Sequence, residues 1–391
     1  MKILYVHNEY AKPSGEEQAA AELVALLREH GHEVKWFTRS SAEIAGSIAG
    51  EVKGLFAGIY NPSAARKLGR MLDEYKPDIV QVQNIYPLLS SAIFKPMKRR
   101  GIPVVMRCPN YRLFCPNGLC LDSHGQVCER CWGGKEINCI RQNCLGNKGR
   151  SIGYAARNAF GRMTKQIIDG VDVLIVQSEF QKHKFMGEGI PEEKIGILPG
   201  ISPVIAEAKE PGRNEYVSFV GRVSPEKGIY EFIEAARMNP DIPHKVAGHL
   251  DAKFRMPEDV PANLEFVGFK QGEELDRFYE DSRIVVVPSK WYEGFPNVIV
   301  RGMMHRKPVV TTDIGAMTSI IDDGKSGMLV TPADAGALAA AIRKLYPDKE
   351  RCGEMGETGW KKANTEYARE AVYNMLLAIY LQARYNMKQE R

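Results

Sequence analysis

The chain has 391 residues, of which 44% are hydrophobic and 26% charged, a balance typical of folded globular proteins. This composition excludes a disordered or fibrous chain, and the length predicts two or three domains. No apolar stretch approaches the ~18 residues that cross a bilayer, and the apolar run at the amino terminus is too short for a signal peptide. We therefore expect a cytoplasmic protein.

Short apolar runs rich in β-branched residues alternate with helical patterns in the first half of the chain. The predicted strands are Ile3 to Val6, Val34 to Phe37, Ile79 to Val82, Val104 to Met106, Val173 to Val176 and Ile195 to Leu198. Amphipathic segments such as Glu17 to Glu29 and Pro62 to Tyr75 lie between them. Continuously apolar strands that alternate with helices predict a parallel sheet covered on both faces.

The same alternation starts again in the second half of the chain. Its predicted strands are Tyr216 to Val220, His244 to Ala247, Leu264 to Val267, Ile284 to Val287, Val309 to Thr312 and Met328 to Val330. A Gly-Ile-Ser-Pro segment at Gly200 and the polar stretch Glu207 to Asn214 predict a hinge between the two series.

This pattern predicts an α/β protein of two doubly wound, Rossmann-like domains with parallel sheets. We place the N-terminal domain at residues 1–205 and the C-terminal domain at residues 206–366. Residues 367–391 are predicted to form a last helix that packs back on the N-terminal domain. Ligands of open parallel sheets bind at the carboxyl ends of the strands, so we expect the two domains to face a common cleft. The strand-to-helix turns are therefore the expected positions of the ligand-binding residues.

The net charge of +5 is unevenly distributed. Residues 95 to 165 contain 14 Lys and Arg but only three acidic residues, a net charge of +11, so the rest of the chain carries −6. A cationic segment of this size can attract an anionic membrane, a lipid-linked phosphate or nucleic acid, or it is a solvated basic helix. Its basic amphipathic part runs from Asn147 to Lys165, and no nucleic-acid recognition motif accompanies it.

Seven of the eight cysteines lie in a segment that we predict to be an insert, residues 108–146. Cys128 and Cys131 have a two-residue spacer, with Cys115 thirteen positions before the first and Cys144 thirteen after the second. Two close and two outlying thiolates suit a tetrahedral, structural zinc ion. Buried free thiols and disulfides are the alternatives, and no His or carboxylate pattern completes an open catalytic site.

Two turns carry signals for anion binding. The first predicted strand leads through Gly15 into a helix, where backbone N–H groups can approach a phosphate, although a plain helix cap has the same pattern. The turn after the first predicted strand of the second domain contains Gly221-Arg222 and continues through Pro225 to Lys227-Gly228. Arg222 and Lys227 flank a helix amino terminus and could hold a diphosphate, or they are solvated surface cations.

A third turn, Trp291-Tyr-Glu-Gly-Phe-Pro296, follows a buried strand and leads to Lys307-Pro308-Val-Val and Gly315. Glu293 in this turn could accept hydrogen bonds from sugar hydroxyls, or it is a surface carboxylate.

The chain resembles the retaining family-4 glycosyltransferases, which have the GT-B fold. The most specific parts of the resemblance are the Gly221 to Gly228 turn, the Trp291 to Pro296 turn, and the segment from Lys307 to Gly315. The resemblance covers nearly all of the chain. The segment Asn110 to Asn117 and the cysteines after it resemble a subgroup of surface-polysaccharide pathways.

The resemblance implies a role for each matching residue. Arg222 and Lys227 would hold the diphosphate of a nucleotide diphosphate sugar, of UDP or GDP type, with Glu293 as a third catalytic residue. The remaining donor contacts would come from Gly15 and Gly221 near the phosphate, Phe266 and Val267 near the base, and Gly294 and Phe295 near the sugar. It also implies that no catalytic metal is needed, and it favours Cys115, Cys128, Cys131 and Cys144 as the zinc ligands.

One departure from the family pattern bears directly on donor binding. The second glutamate of the motif, which typically binds the ribose, is Arg301 here, and a guanidinium has no acceptor atom for the ribose hydroxyls. Three explanations of Arg301 are open: natural drift in a weak or inactive enzyme, a different donor-binding mode, or an altered residue. The alternative to an active enzyme is therefore a catalytically impaired GT-B protein that serves as a binding or scaffold protein.

The expected function is transfer of a hexose-type sugar from a nucleotide diphosphate to a glycan or lipid-linked glycan in bacterial surface-polysaccharide synthesis. The basic stretch from Asn147 to Lys165, with Lys98-Arg99-Arg100, adds an expected peripheral contact with the anionic inner face of the membrane. Nucleic acid is not an expected partner.

Overall fold

The computed structural model describes residues 1–11, 15–205, 213 and 215–389. It divides into two compact units. The first comprises Met1–His124, Cys128–Pro199 and the segment from Arg369 onward, and the second comprises Gly200–Ala368 with Gly125–Val127. The predicted hinge at Glu207 to Asn214 lies, apart from Arg213, outside the described residues.

The first unit contains a six-stranded sheet in the order β2-β1-β3-β4-β5-β6, in which all paired strands are parallel. Its strands are β1 Lys2–Glu9, β2 Glu33–Ser40, β3 Ile79–Asn84, β4 Val104–Arg107, β5 Val173–Val176 and β6 Ile195–Ile197. Its helices are α1 Gly15–Glu29, α2 Ile48–Ile59, α3 Pro62–Tyr75, α4 Phe94–Arg100, α5 Ile137–Arg141, α6 Lys148–Thr164, α7 Glu179–Gly187 and, in sequence after the second unit, α14 Arg369–Gln389.

The second unit repeats this architecture with the order β12-β11-β10-β7-β8-β9, again with all pairs parallel. Its strands are β7 Tyr216–Val220, β8 His244–Ala247, β9 Leu264–Gly268, β10 Ser282–Val287, β11 Val309–Thr312 and β12 Gly327–Val330. Its helices are α8 Ile229–Met238, α9 Gly272–Asp281, α10 Asn297–Met304, α11 Met317–Ile320, α12 Ala335–Leu345 and α13 Lys349–Glu366.

Continuous apolar runs explain the central strands. Ile3 to Val6 of β1 are completely buried, as are Ile284 and Val285 of β10. Both faces of these strands must therefore be covered by helices, which is the arrangement that a parallel sheet requires. Burial of each large apolar side chain contributes about 1.5–3 kcal/mol, so these runs fix the strands in the centre of each sheet.

Each sheet has one point at which the chain reverses the direction of strand addition. In the first sheet β1 and β3 are neighbours, and their following strands lie on opposite sides of that pair. In the second sheet the corresponding neighbours are β7 and β10. Ligands of doubly wound sheets bind outside the strand carboxyl ends at such points.

The predicted fold class of two doubly wound parallel-sheet domains is confirmed. Every predicted strand is present, and the helix predicted at Pro62 to Tyr75 has those bounds. The last helix, predicted from about Tyr367, runs from Arg369 to Gln389, and α13 ends before it at Glu366. Among the described helices, none combines the length and apolarity required to cross a membrane.

Candidate active site

A cavity of about 140 Å³ lies at the reversal point of the second sheet. Its walls come from the ends of β7 and β10 and from the first turn of α10. The lining residues are Phe219, Val220, Gly221, Lys227, Val287, Ser289, Glu293, Phe295, Pro296, Asn297 and Val298. Four of the predicted donor residues, Gly221, Lys227, Glu293 and Phe295, are therefore brought together.

Glu293 is the centre of the hydrogen-bond network in this cavity. Its Oε1 atom accepts from Ser289 Oγ at 2.6 Å, from Trp291 Nε1 at 3.0 Å and from Lys227 Nζ at 2.5 Å. The Glu293 side chain is 8% exposed, so its charge is balanced by Lys227 and two neutral donors instead of by water. Glu293 is a buried, oriented acceptor and not an ordinary surface carboxylate.

Two glycines allow neighbouring segments to approach the Glu293 loop. Gly228 has φ +77°, and a Cβ atom there would lie 1.9 Å from the carbonyl oxygen of Pro288. Gly315 has φ +64°, and its Cβ would lie 3.2 Å from the backbone nitrogen of Glu293. A left-handed backbone and this close contact both require glycine. Gly228 and Gly315 thus allow the Lys227 turn and the segment after β11 to pack against the Glu293 loop.

Lys227 lies in a short 3-10 turn, Pro225–Lys227, that leads directly into α8. Its side chain is 25% exposed, and its Nζ atom lies 5.5 Å from the centre of the Trp291 ring. Because the amino end of a helix carries partial positive charge, Lys227 and α8 together make this wall of the cavity favourable for an anion.

Arg222 is arranged differently from Lys227. Its side chain is 48% exposed, and its guanidinium forms ion pairs with Glu226 and, at 3.0 Å, with Asp251. Arg222 is not among the residues that line the cavity. The structure therefore keeps the two cations of the predicted cradle on different carboxylates, and a role for Arg222 at the diphosphate stays a prediction.

The remaining predicted donor contacts lie outside the lining of this cavity. Phe266 and Val267 are half-buried in β9, an edge strand, and Gly294 follows Glu293 in the loop. In the first unit, Gly15 begins α1, and a Cβ atom there would meet nothing within 4 Å. Their predicted contacts with base, sugar and phosphate stay predictions.

Arg301 points to a partner on another helix. Its Nη2 atom lies 2.6 Å from Oδ1 of Asp276 in α9, and the same oxygen contacts His305 Nε2 at 3.0 Å. The ring of His305 stacks on Tyr279 with centroids 5.3 Å apart, and burial lowers the pKa of His305. Arg301 thus joins α9 to α10 and does not line the cavity.

Sequence reasoning did not single out Ser289 and Asn297 as site residues. Ser289 is fully buried and bonds to Glu293, whereas Asn297 begins α10 and lines the cavity. The available signal was Ser289, which follows Pro288 at the end of a buried apolar strand. A fully buried hydroxyl needs a hydrogen-bond partner, whereas Asn297 is exposed and its polarity gave no such signal.

The cysteines of the insert are free thiols, and four of them form two hydrogen-bonded pairs. A hydrogen bond from Cys120 lowers the pKa of Cys115 to about 7, and one from Cys139 lowers the pKa of Cys144. The thiol pairs thus combine two predicted zinc ligands with two cysteines outside the predicted set. In the part of the chain that the structure describes, no three His, Cys, Asp or Glu side chains form a group suited to holding a metal ion.

Two family descriptions match consecutive parts of the chain. "Glycosyl transferase 4-like domain" matches residues 14–200, and "Glycosyl transferases group 1" matches residues 203–362. The chain belongs to the family-4 type of glycosyltransferases. The second match contains the whole cavity around Glu293 and Lys227, so the predicted family is confirmed where its most specific motifs lie.

Several curated proteins are similar to this glycosyltransferase. One is an uncharacterized 42.6 kDa protein in the cps region of Klebsiella pneumoniae, 24% identical over 67% of this chain and 64% of that protein. Another is the Staphylococcus aureus capsular polysaccharide biosynthesis glycosyltransferase CapM, 25% identical over 43% of this chain and 46% of CapM. The Erwinia amylovora amylovoran biosynthesis glycosyltransferase AmsK is 26% identical over 53% of this chain and 56% of AmsK. The chain therefore spans about half to two thirds of these relatives.

Solved structures share the fold over nearly the whole chain. A glycosyltransferase from Rickettsia africae has a TM-score of 0.67 at 16% identity, covering 98% of both chains. The sucrose-phosphate synthase of Thermosynechococcus elongatus has a TM-score of 0.65 at 16% identity, covering 97% of this chain and 98% of that one. Anabaena HepE, solved in complex with UDP, has a TM-score of 0.63 at 16% identity, covering 97% and 99%. The GT-B fold class is thereby confirmed.

Proposed function

We propose that this protein is a retaining glycosyltransferase that moves a hexose-type sugar from a nucleotide diphosphate sugar to a glycan or lipid-linked glycan. The observation that carries the proposal is the ion pair of Lys227 and Glu293 inside the cavity at the reversal point of the second sheet. A cation and an oriented acceptor in one small space suit the two parts of such a donor, its phosphate and its sugar hydroxyls.

The proposed reaction develops negative charge on the leaving diphosphate. The bond between the anomeric carbon and the β-phosphate oxygen breaks, and a bond forms from that carbon to an acceptor hydroxyl oxygen. The proton of that hydroxyl goes to the leaving diphosphate, so the reaction demands no separate side-chain base. Lys227 and the amino end of α8 stabilise the departing charge, which lowers the barrier. Because Lys227 supplies this cation, we propose that catalysis needs no divalent metal.

The size of the cavity indicates which part of the donor it binds. A volume of about 140 Å³ is below the roughly 300–1,000 Å³ of complete small-molecule sites, so it suits the phosphoryl end and not the whole nucleotide. When a phosphate approaches Lys227, it competes with Glu293 for the ammonium. Glu293 is then free to accept hydrogen bonds from the sugar.

The names of similar proteins support bacterial surface-polysaccharide synthesis as the pathway in which the proposed sugar transfer takes place. The names of CapM and AmsK place those two proteins in capsular polysaccharide and amylovoran synthesis, and the Klebsiella relative lies in a cps region. HepE, which shares the fold, was solved with UDP. We extend these settings to the present chain and propose a donor of the UDP or GDP type.

A donor screen tests the proposed function. Purified protein is incubated with UDP- and GDP-linked hexoses, and release of the free nucleotide diphosphate is measured. We expect hydrolysis of at least one donor above the rate without protein. No release from any donor, combined with no calorimetric binding of UDP or GDP, would contradict the proposal.

The alternative, an impaired protein that serves as a binding or scaffold protein, makes a different prediction for Arg301. If Arg301 alone disables donor binding, restoring the family glutamate increases nucleotide affinity. We expect no such gain, because Arg301 is held by Asp276 and lies outside the lining of the cavity. Calorimetry with UDP and GDP on the native chain and on Arg301→Glu distinguishes the active enzyme from the impaired protein. A tenfold gain in affinity would support the impaired protein.

The same substitution has an expected structural cost. Arg301→Glu places a carboxylate beside Asp276 and removes a charged hydrogen bond, so we expect a loss of about 1–3 kcal/mol in the free energy of unfolding. The double variant Arg301→Glu with Asp276→Asn removes the repulsion and is expected to recover part of the loss. Thermal unfolding measures both, and an unchanged melting temperature in the single variant would contradict the ion pair.

We also propose that the first unit contacts an anionic membrane through α2 and α6. The side chains of Phe56 in α2 and of Ile152 and Met163 in α6 are 66%, 52% and 74% exposed. The two helices pack tightly, since a Cβ atom at Gly153 would lie 1.7 Å from Leu55. Exposed apolar side chains beside the exposed cations of α6 are typical of a helix that lies in a membrane interface.

Vesicle sedimentation tests the membrane contact. Reversing the charges of Lys148 and Arg150, both exposed in α6, removes two cations worth about 1 kcal/mol each at an anionic surface. We expect binding to vesicles with anionic lipid to weaken about 30-fold or more, with little binding to zwitterionic vesicles. Reversal of Lys325 and Lys361 in the second unit is the matched control. Equal binding by both double variants would contradict the proposed face.

Structural zinc at Cys115, Cys128, Cys131 and Cys144 remains a proposal based on the spacing of these cysteines. The free thiol pairs of the structure do not form the required group, so side chains would have to rearrange to bind the ion. Metal analysis of the purified protein is expected to find about one equivalent of zinc, lost on Cys128→Ser with Cys131→Ser. Much less than one equivalent, with all thiols reactive after unfolding, would contradict zinc binding.

A further inference from the structure

A small pocket lies at the reversal point of the first sheet, where β3 and β4 end. Its polar lining includes Glu16 in the first turn of α1, Arg107 as the last residue of β4, and Asn110 and Arg112 in the segment that follows. Ligands of doubly wound sheets bind at such a point. All of these residues belong to the first unit, whereas the proposed donor cavity lies in the second.

The size of this pocket limits what it can receive. Its volume is about 30 Å³. A water molecule requires about 10–15 Å³ of such space, so the pocket has room for about two groups of that size. The two oxygens of a carboxylate fit, whereas a sugar ring or the four oxygens of a phosphate do not. We therefore expect the pocket to bind one small substituent of a larger ligand.

Arg107 is a buried cation that has no hydrogen bond or ion pair with the described residues. Only 4% of Arg107 is exposed, and its Nε atom is buried without a partner. Its charge acts on the phenol of Tyr5, but burial raises the pKa of Tyr5, so the phenol stays neutral and does not balance Arg107. A buried charge without a counter-charge is costly, which points to an anion that a ligand supplies.

Glu16 is the one carboxylate that the structure describes in the lining of this pocket. Its Oε1 accepts from Gln83 Nε2 at 3.3 Å, and its Oε2 accepts from the Tyr10 hydroxyl at 2.9 Å. Glu16 also interacts electrostatically with Arg112. One carboxylate does not neutralise two guanidinium groups, so the lining with Arg107 and Arg112 keeps one positive charge in excess.

The hydrogen-bonding groups that remain unused in this lining are donors. The Nε atom of Arg112 is buried without a partner, like that of Arg107. The side-chain oxygen of Asn110 accepts from the backbone nitrogen of Arg112 at 3.0 Å, which leaves the amide nitrogen of Asn110 as a further donor. A guanidinium binds a carboxylate through two parallel hydrogen bonds, so surplus donors and a surplus positive charge fit a carboxylate.

We propose that this pocket selects an acidic sugar and that Arg107 is the specificity-determining residue that binds its carboxylate. A uronic acid fits, because its carboxylate projects from the ring and enters a space that the ring does not. The inference rests on the proposed function and narrows its glycan acceptor to one that contains a uronic acid. We assign the uronate to the acceptor because the donor cavity, with Glu293 for the donor sugar, lies in the second unit.

Matched pairs of methyl glycosides provide the test. The methyl glycosides of glucuronic, galacturonic and mannuronic acid are titrated into the full chain near neutral pH, each beside the glycoside of its parent hexose, and binding is measured by ligand-observed NMR. The two members of a pair differ only in a carboxylate for a hydroxymethyl group. We expect at least one uronoside to bind at least tenfold more tightly than its parent. No preference in any pair would overturn the proposal.

Acetate distinguishes a sugar carboxylate from a free one. It carries the same anionic group without the ring, so it is expected to bind at least tenfold more weakly than the preferred uronoside. Equal affinities would assign the pocket to small free carboxylates and would overturn the proposal.

Arg107→Met separates a binding role from a structural one. The variant keeps a long side chain but removes the charge and the donors, so we expect its affinity for the uronoside to fall to about that for the neutral glycoside. Exchange of an unpaired buried charge for an apolar side chain is neutral or stabilising, so the melting temperature is expected to be unchanged or higher. Arg107→Lys keeps the charge without the paired donors and is expected to retain part of the preference. An unchanged preference in Arg107→Met would overturn the proposal.

Arg157→Met in α6 is the matched control. Arg157 is 6% exposed and does not line the pocket, and unlike Arg107 it has partners within the chain. It donates to the carbonyl oxygen of Pro116 at 3.0 Å, and its Cζ lies 4.1 Å from the centre of the Tyr86 ring. We expect Arg157→Met to lower the melting temperature and to keep the uronoside preference. Equal losses of preference in both variants would overturn the assignment to Arg107.

Donor hydrolysis distinguishes this inference from the proposed function. UDP-glucuronic acid and UDP-glucose are compared on the native chain and on Arg107→Met, and we expect the same ratio of the two rates in both. A selective loss of hydrolysis of the acidic donor would place the carboxylate on the donor and overturn the assignment to the acceptor. Donor hydrolysis without any uronoside preference rejects this inference and leaves the proposed function intact. A uronoside preference that depends on Arg107, without donor hydrolysis or nucleotide binding, rejects the proposed function and leaves a uronate-binding site.

Discussion

Replacing Lys227 by alanine is expected to reduce sugar transfer or donor hydrolysis by about 10²–10³-fold, the usual effect of removing one preorganised donor from a developing anion. Lys227 is the cation that lines the 140 Å³ cavity in the described part of the second unit, and its ammonium already lies in a fixed ion pair with Glu293. Steady-state kinetics with the preferred donor measure the effect. We also expect diphosphate binding to weaken more than mononucleoside binding, which calorimetry measures.

A neighbouring ion pair gives a matched control for Lys227. Lys290 lies on the loop that carries Glu293 and pairs with Glu231 at 2.8 Å, with 21% of its side chain exposed, but it does not line the cavity. Lys290→Ala removes a cation of similar burial and is expected to leave the kinetics within about a factor of three, because Lys290 does not line the cavity in which the charge of the diphosphate develops. Equal losses in both variants, or equal weakening of diphosphate and mononucleoside, would reject the phosphate role of Lys227.

Replacing Glu293 by glutamine is expected to reduce turnover by about 10²-fold or more while nucleotide binding is retained. The variant keeps the size of the side chain and one acceptor oxygen, but it loses the charge that accepts from Ser289, Trp291 and Lys227 together. Because Lys227 is released from its ion pair, UDP or GDP is expected to bind as tightly as before or more tightly. The two substitutions therefore separate phosphate binding from the role at the sugar.

Glu231→Gln is the control for Glu293→Gln, because Glu231 accepts from Lys290 in the adjacent ion pair. Its turnover is expected to match that of the native chain. A Glu293→Gln variant with normal turnover would show that the carboxylate is structural. Loss of nucleotide binding in that variant would show that Glu293 contributes to the phosphate site.

The sequence predicted the fold because apolar periodicity reports burial directly. Both faces of a central parallel strand are covered, so runs such as Ile3 to Val6 and Ile284 to Val287 are apolar without interruption. The turns at Lys227 and Glu293 were predicted as well, because glycine and proline mark the strand-to-helix loops in which ligands bind. Each of these signals comes from residues that are close together in the sequence, so it can be recognised without the folded structure.

The ion-pair partners of the arginines could not be predicted from the sequence in the same way. Arg222 was paired in sequence with Lys227, but Asp251 lies 29 positions away and holds its guanidinium at 3.0 Å. Arg301 likewise finds Asp276 through the packing of α9 on α10. Long-range ion pairs depend on packing that periodicity does not specify.

The most direct test of the central claim is a crystal structure with the bound nucleotide diphosphate. The account predicts a phosphate oxygen at about 2.7–2.9 Å from Lys227 Nζ, within the cavity between β7 and β10, with Glu293 turned from its ion pair. A nucleotide whose phosphates lie elsewhere, while Lys227 remains on Glu293, would contradict it.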